Sequence, residues 1–264
     1  MKNITLVVLC LALTIPAFSQ ISIENSYSYT ETPAIPATNI VNDPVNVDPT
    51  SAEVDYILKA YIGQPSEVDH AKLEEGLALI ESAIASTPDR LDWRFLKIHA
   101  LGVAQRWVDF SSEVTGLVDL SYEKQHQWKW NGPNQLLDDN PKHFLVNTIS
   151  DYVFMLYNAE DAALFSDIRK IADKVLDHEP DNYDFITYKA DVCEKLEDWD
   201  GALATWLKAK QFNPEDSYVW SSLAKCYLQK GEKAEAFMAY KKVINYGNDK
   251  EKARAKKQLQ ELIK

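Results

Sequence analysis

Histidines, cysteines and paired carboxylates are the residues whose types could perform chemistry in this chain, and their spacing predicts no catalytic or metal site. No two of the five histidines have the i, i+4 spacing with which a helix presents two ligands to one metal. His99 lies in an apolar stretch, which favours a hydrogen-bonded core residue over a catalytic base. Glu74-Glu75 falls on a predicted helix surface, where solvation is the expected role, and Asp138-Asp139 has no partner motif nearby.

Motifs of other enzyme classes are also missing from the sequence. It contains neither a glycine-rich phosphate loop nor the turn that exposes a nucleophilic serine. The excess of Asp+Glu, 40 against Lys+Arg 28, gives a net charge of -12, which disfavours binding to nucleic acid or to an anionic membrane surface. We therefore predict a protein that is not an enzyme and uses no cofactor or metal.

The segment 1–19 resembles a secretory signal peptide. Lys2 precedes an apolar run from Ile4 to Phe18, which is shorter than the roughly 20 residues that a membrane-spanning helix needs. Small residues at Ala17 and Ser19 predict cleavage before Gln20. The sequence thus predicts export to the periplasm or to the secreted space, without stable membrane insertion.

Residues 20–49 differ in composition from the rest of the chain. They contain four prolines and no Lys or Arg, and their apolar residues show no sustained period, so we predict a disordered linker. An alternative is a strand that docks on a partner, because Ile21, Ile23, Tyr27 and Tyr29 alternate.

Helical patterns continue from residue 50 to the end, and the later ones repeat. Pro180 and Pro214 each follow an apolar helical run, and the interval between them gives a period of about 34 residues. In the last period, Trp220-x-x-Leu223-Ala224-x-x-Tyr227 precedes Ala236-x-x-x-Tyr240. One period earlier the corresponding positions hold Ile186, Ala190, Cys193, Trp199, Ala202, Trp206 and Ala209.

On these residues the segment 149–250 resembles three tetratricopeptide repeats, with Ala224 replacing a glycine and Asn248 standing where proline is usual. The resemblance implies an all-α fold, a solenoid of helical hairpins wound into a right-handed superhelix. It also implies a binding scaffold whose first helices line a concave face.

The remaining segments match the repeat pattern less well. Residues 50–122 are predicted to be degenerate helical repeats, residues 123–140 an irregular insertion, residues 141–250 the three repeats, and residues 251–264 a capping helix. The insertion carries Trp128 and Trp130, which are predicted either to contact a partner or to cover the edge of the stack.

Cys193 and Cys226 remain after the predicted cleavage. They lie almost one repeat apart, on neighbouring first helices, whose axes pack about 8–10 Å apart. A disulfide needs Cα atoms within about 7 Å, so we predict two buried thiols.

Helical spacing on the first helices predicts the residues that line the groove. They are Tyr157, Glu160, Asp184, Thr187, Asp191, Glu194, Tyr218, Ser221 and Lys225. Because carboxylates dominate, we predict no clamp for a peptide carboxylate. We predict a partner segment that is basic, or uncharged with aromatic or apolar anchors. The alternative interpretation is a merely solvated face.

The sequence therefore predicts a non-catalytic protein–protein interaction scaffold whose protein or peptide partner is unidentified. One alternative is an accessory or inhibitory subunit that acts through Trp128 and Trp130. A lesser alternative is an exported enzyme whose site is assembled from residues remote in sequence.

Overall fold

The computed structural model of the protein describes residues 57–62, 68–123, 128–130, 141–159 and 161–263. The predicted signal peptide, the linker and most of the insertion lie outside these ranges, as does Glu160. Within them the chain forms one short π-helical turn, Leu58–Ile62, and one 3-10 turn, Ala162–Leu164. The same ranges contain ten α-helices, which are in chain order α1 His70–Ser86, α2 Leu91–Val103, α3 Trp107–Tyr122, α4 Pro141–Asn158, α5 Phe165–His178, α6 Tyr183–Lys195, α7 Trp199–Phe212, α8 Ser217–Gln229, α9 Lys233–Tyr246 and α10 Asp249–Leu262.

From α1 to α2 and from α3 to α10, successive helices pack against each other. The second helices α5, α7 and α9 begin at Phe165, Trp199 and Lys233, which are equally spaced, and the first helices α6 and α8 begin at Tyr183 and Ser217, with the same spacing. The described residues contain no β-strand, only an isolated bridge between Arg90 and Lys129. This architecture confirms the predicted all-α solenoid of tetratricopeptide-like hairpins.

Asn or Asp side chains cap the N-termini of several of these helices. The side chains of Asn182, Asp198 and Asp216 accept hydrogen bonds from backbone N–H groups in the first turns of α6, α7 and α8. Asn248 and Glu251 form a capping box at the start of α10. Each cap satisfies backbone donors that have no partner within the helix, so the sequence itself fixes where these helices start.

The described residues form two compact units. The first contains those up to Arg106 and those at 128–130, and the second contains those at 107–123 and those from Pro141 onward. The boundary at Arg106 falls inside the segment 50–122 that the sequence groups together.

The core of the second unit contains the predicted packing residues. Ile186, Ala202, Trp206 and Leu223 are fully buried, and small alanines allow the aromatic rings to fill the space between helices. Cys193 and Cys226 belong to the same core, and both are buried free thiols.

In the first unit, the segment 128–130 packs against neighbouring residues, and the two tryptophans that it carries are buried. Lys129 donates its backbone N–H to Asp89 and accepts a bond from the N–H of Leu91, at 2.9 and 3.0 Å. The Trp130 ring contacts Phe95 edge-on, with ring centroids 5.1 Å apart. Trp128 and Trp130 are only 7% and 5% exposed. This burial favours the alternative prediction, in which the two rings cover an edge of the helices, and a partner contact through them stays a prediction.

His99 is also buried in this unit, as predicted, but its hydrogen bonding differs from the prediction. Its Nδ1 atom has no hydrogen-bond partner among the described residues. Burial lowers the pKa of its imidazole to about 4. The ring is therefore neutral at physiological pH and packs as an apolar group. Among the described residues, no helix is both long enough and apolar enough to cross a membrane.

Candidate functional site

The surface formed by the first helices α4, α6 and α8 of the second unit holds most of the groove residues that the sequence predicts. We call it the first-helix face. Its members are Asp151 and Tyr157 on α4, Asp184, Asp191, Glu194 and Lys195 on α6, and Tyr218 and Lys225 on α8.

Helices α6 and α8 are joined by a hydrogen bond on this face. The hydroxyl of Tyr218 donates to Oδ1 of Asp191 over 2.6 Å. The Tyr218 ring in turn contacts the buried Trp206 edge-on, with centroids 5.5 Å apart. Because the ring is held by the core, the hydroxyl is fixed in position toward the carboxylate.

Glu194 makes a second connection between the same helices. Its Oε1 accepts the indole N–H of Trp206 over 2.7 Å, and its Oε2 pairs with Nζ of Lys225 over 2.8 Å. The Glu194 side chain is 9% exposed, so its charge is satisfied mostly within the protein. The Lys225 ammonium also lies 5.4 Å from the ring centroid of Trp199. Glu194 and Lys225 thus neutralise each other in an ion pair, and a ligand that binds either one must compete with that pair.

Asp191 has an altered proton affinity. Burial, with a smaller contribution from the charge of Glu194, raises the pKa of its carboxyl to about 7. The hydrogen bond from Tyr218 opposes this shift, because it stabilises the ionised form. Burial therefore brings the protonation of Asp191 close to neutral pH.

Asp151 on α4 and Asp184 on α6 form a different kind of pair. Both residues are exposed, and among the described residues neither makes an ion pair. The surrounding helices partly desolvate the Asp151 carboxyl, and together with the charge of Asp184 this raises its pKa to about 6. Desolvation also raises the pKa of Asp184. These two carboxylates repel each other across neighbouring helices, and no described cation neutralises either of them.

The end of this face at α4 is aromatic. The Nζ atom of Lys195 lies 6.0 Å from the ring centroids of both Tyr157 and Phe165. Burial raises the pKa of the Tyr157 phenol, and the charges of Asp191 and Glu194 add to this effect. Tyr157 therefore remains a neutral, half-buried ring that can contact an apolar side chain of a ligand.

Two predicted groove residues differ from the others. Thr187 is buried, and its hydroxyl donates to the backbone carbonyl of Asp184 in its own helix, so it is unavailable to a ligand. Ser221 is half-buried on α8. Asp151 was not among the predicted residues, although it precedes Asp184 by almost one repeat, and this spacing could have revealed it.

The described part of the chain contains no group of three or more His, Cys, Asp or Glu side chains that could hold a metal ion. The side chains of the first-helix face instead suit recognition of a charged or aromatic segment, because they are carboxylates, phenols and paired lysines.

No protein-family model matches the chain, and no curated protein matches its sequence. The structure is similar to the crystal structure of a thermophilic TPR protein from Thermus thermophilus, with 15% sequence identity, a TM-score of 0.38, and coverage of 72% of this chain and 92% of that chain. The fold assignment rests on the helix bounds and pairing of this chain.

Proposed function

We propose that the protein is an exported, non-catalytic interaction module that binds a basic segment of a partner protein on its first-helix face. The observation that supports this proposal is the carboxylate pair of Asp151 and Asp184, which no cation of the described residues neutralises. Two adjacent carboxylates that repel each other favour a ligand that brings a Lys or Arg side chain between them.

The rigidity of the neighbouring residues also favours binding. Tyr218, Asp191, Glu194 and Lys225 are already joined by hydrogen bonds and an ion pair across α6 and α8. A ligand that contacts them does not have to order them first, which lowers the entropic cost of association.

The arrangement of the cations opposes capture of a peptide carboxylate. Lys225 is paired with Glu194, and Lys195 lies over aromatic rings close to a carboxylate-rich surface. An incoming carboxylate would have to compete with Glu194 and would meet the repulsion of Asp184 and Asp191. We therefore propose a basic partner rather than an acidic one.

The test uses the two exposed carboxylates, whose replacement leaves the core intact. The mature protein and its variant Asp151→Lys with Asp184→Lys are compared as baits for proteins of the native cell envelope. We expect the variant to lose the partner, and we expect high salt to release the partner from the wild type.

A matched control carries the same change of charge at two exposed acids outside the first-helix face, Asp177→Lys with Glu215→Lys. It should retain the partner. Equal loss from both variants would show that net charge alone governs capture, and full retention by the Asp151/Asp184 variant would remove the first-helix face from the function.

Export is part of this proposal and has its own test. The signal-like residues 1–19 predict a mature protein that starts at Gln20. Intact mass of the protein isolated from the exporting host should correspond to residues 20–264, and an uncleaved product that sediments with membranes would contradict export with cleavage.

A further inference from the structure

Cations in the second unit fall into two groups. Those on α4 to α8 are mostly paired with carboxylates, as in Lys142–Glu179, Arg169–Asp198, Lys174–Asp119, Lys189–Asp173 and Lys225–Glu194. In the described part of the chain, no carboxylate pairs with any of the cations Lys241, Lys242, Lys252, Arg254, Lys256 and Lys257 on α9 and α10. Positive charge is thus uncompensated at the C-terminal end of the unit.

Helix α10 presents much of this charge on one side. Ala255 is its buried residue, and Arg254, Lys256 and Lys257 are exposed on the side that faces away from the core. From Lys252 to Gln260 the helix has four cations and no carboxylate. Two of its three acids, Asp249 and Glu251, lie in the first turn, where they stabilise the helix N-terminus, and the third, Glu261, lies in the last turn. We call Arg254, Lys256 and Lys257 the basic C-terminal face.

The same unit therefore carries uncompensated charges of opposite sign on two separate faces. Within the described ranges, Asp151 and Asp184 pair with no cation and the basic C-terminal face pairs with no carboxylate, so the two faces do not satisfy each other within one molecule. A second copy of the chain supplies what each face lacks.

We propose that the basic C-terminal face of one copy binds the first-helix face of a second copy, so that molecules associate head to tail. This inference rests on the proposed function, because it assigns an occupant to the same first-helix face. The contact joins two different surfaces, so each assembly keeps one free face at either end, and association continues into short chains rather than closing into a dimer.

The charges also predict how this association behaves. The net charge of -12 repels whole molecules from each other, while the local charges attract across a few ångströms. Exposed pairs are weak and are screened by salt over about 8 Å at physiological ionic strength. Association should therefore be concentration-dependent and strongest at low salt.

The test uses two complementary variants of the mature protein. Asp151→Lys with Asp184→Lys removes the acidic face and keeps the basic one, whereas Arg254→Glu with Lys257→Glu removes the basic face and keeps the acidic one. Sedimentation velocity at low salt should show concentration-dependent oligomers for the wild type and monomers for each variant alone.

Mixing the two variants gives the decisive result. The intact basic face of the first should bind the intact acidic face of the second, and the two reversed faces are complementary as well, so the mixture should regain concentration-dependent oligomers. This recovery also shows that both variants are folded. The control Asp177→Lys with Glu215→Lys should associate like the wild type.

Several results would overturn the inference: a wild type that stays monomeric at low salt, a variant that self-associates as the wild type does, or a mixture that remains monomeric. A monomeric wild type together with partner capture that depends on Asp151 and Asp184 would leave the proposed function standing and reject only the self-association. Self-association of the wild type, together with partner capture that does not depend on Asp151 and Asp184, would leave the self-association standing and reject the proposed function.

Discussion

Tyr218 on α8 holds the carboxylate of Asp191 on α6 through a hydrogen bond of 2.6 Å. The bond joins the first helices of two successive hairpins, and it stabilises the ionised form of a carboxyl that burial pushes toward protonation. This one contact links the packing of the solenoid to the charge of the first-helix face.

Asp191→Asn should change the pH dependence of stability. The pKa of Asp191 is about 7 in the folded protein and 3.8 as its ordinary value, so between these pH values the folded state binds more protons than the unfolded state. The contribution of Asp191 to stability is therefore greatest at about pH 4 and falls as the pH rises to about 7. The Asn side chain stays neutral, so the stability of the variant relative to the wild type should increase over this range and then remain constant.

Urea denaturation of both proteins at several pH values measures this difference. Asp177→Asn, an exposed position at the end of α5, serves as the control and should show no such trend. A difference in stability between the Asp191→Asn variant and the wild type that does not vary with pH would contradict the assigned pKa.

His99 should make the first unit sensitive to acid. Its pKa of about 4 lies below the ordinary value of 6.5, so the unfolded state binds more protons in this range, and stability is lost as the pH falls from about 6.5 to about 4. The full shift corresponds to about 3 kcal/mol. His99→Met, which keeps an apolar side chain of similar size, should reduce this loss.

Thermal melts from about pH 7 to about pH 4 measure the effect. The control is His70→Met, since His70 is exposed at the start of α1 in the same unit. If His99→Met lost stability in acid as steeply as the wild type, protonation of His99 would not be the cause.

Gly76→Ala should destabilise the first unit, although alanine usually favours helices over glycine by about 1 kcal/mol. A Cβ atom at Gly76 would lie 2.7 Å from Cβ of Tyr61, which is part of the π-helical turn. The turn would have to shift to admit the methyl group. Gly116→Ala in α3 is the matched control, because nothing lies within 4 Å of the added Cβ.

Denaturation midpoints should therefore move in opposite directions, down for Gly76→Ala and up for Gly116→Ala. A stabilising effect at both positions would show that Tyr61 does not pack against Gly76.

Trp206→Ala should be the most damaging single change in the second unit. Trp206 is fully buried and donates its indole N–H to Glu194, so truncation leaves a large cavity and removes one partner of a nearly buried carboxylate. The expected loss is about 3–5 kcal/mol, and it should spread to neighbouring hairpins, because repeats stabilise each other.

Trp206→Phe separates the two contributions, since it retains most of the apolar volume and removes the hydrogen bond. We expect a smaller loss in equilibrium unfolding for this variant. An unchanged midpoint for Trp206→Ala would mean that the ring is not part of the core.

Repetition in the sequence was sufficient to predict the hairpins of the second unit. The regular spacing of small and aromatic residues, and the Asx residues before α6, α7 and α8, are local signals. A helical face and a helix start depend on residues a few positions apart, so one sequence contains the information to predict them. The acidic character of the first-helix face followed from the same periodicity.

The tertiary structure decided which of these side chains meet. Helical spacing placed Thr187 and Asp191 on one face, yet packing buried the first and set the second against Tyr218. The sequence left Trp128 and Trp130 compatible with an exposed loop or with a covering role, and in the structure both rings are buried. The pairing of Asp151 with Asp184 depends on how closely α4 approaches α6. Such contacts join residues far apart in the chain, and their distances are set by the volumes of all the side chains packed between the helices, which no local pattern specifies.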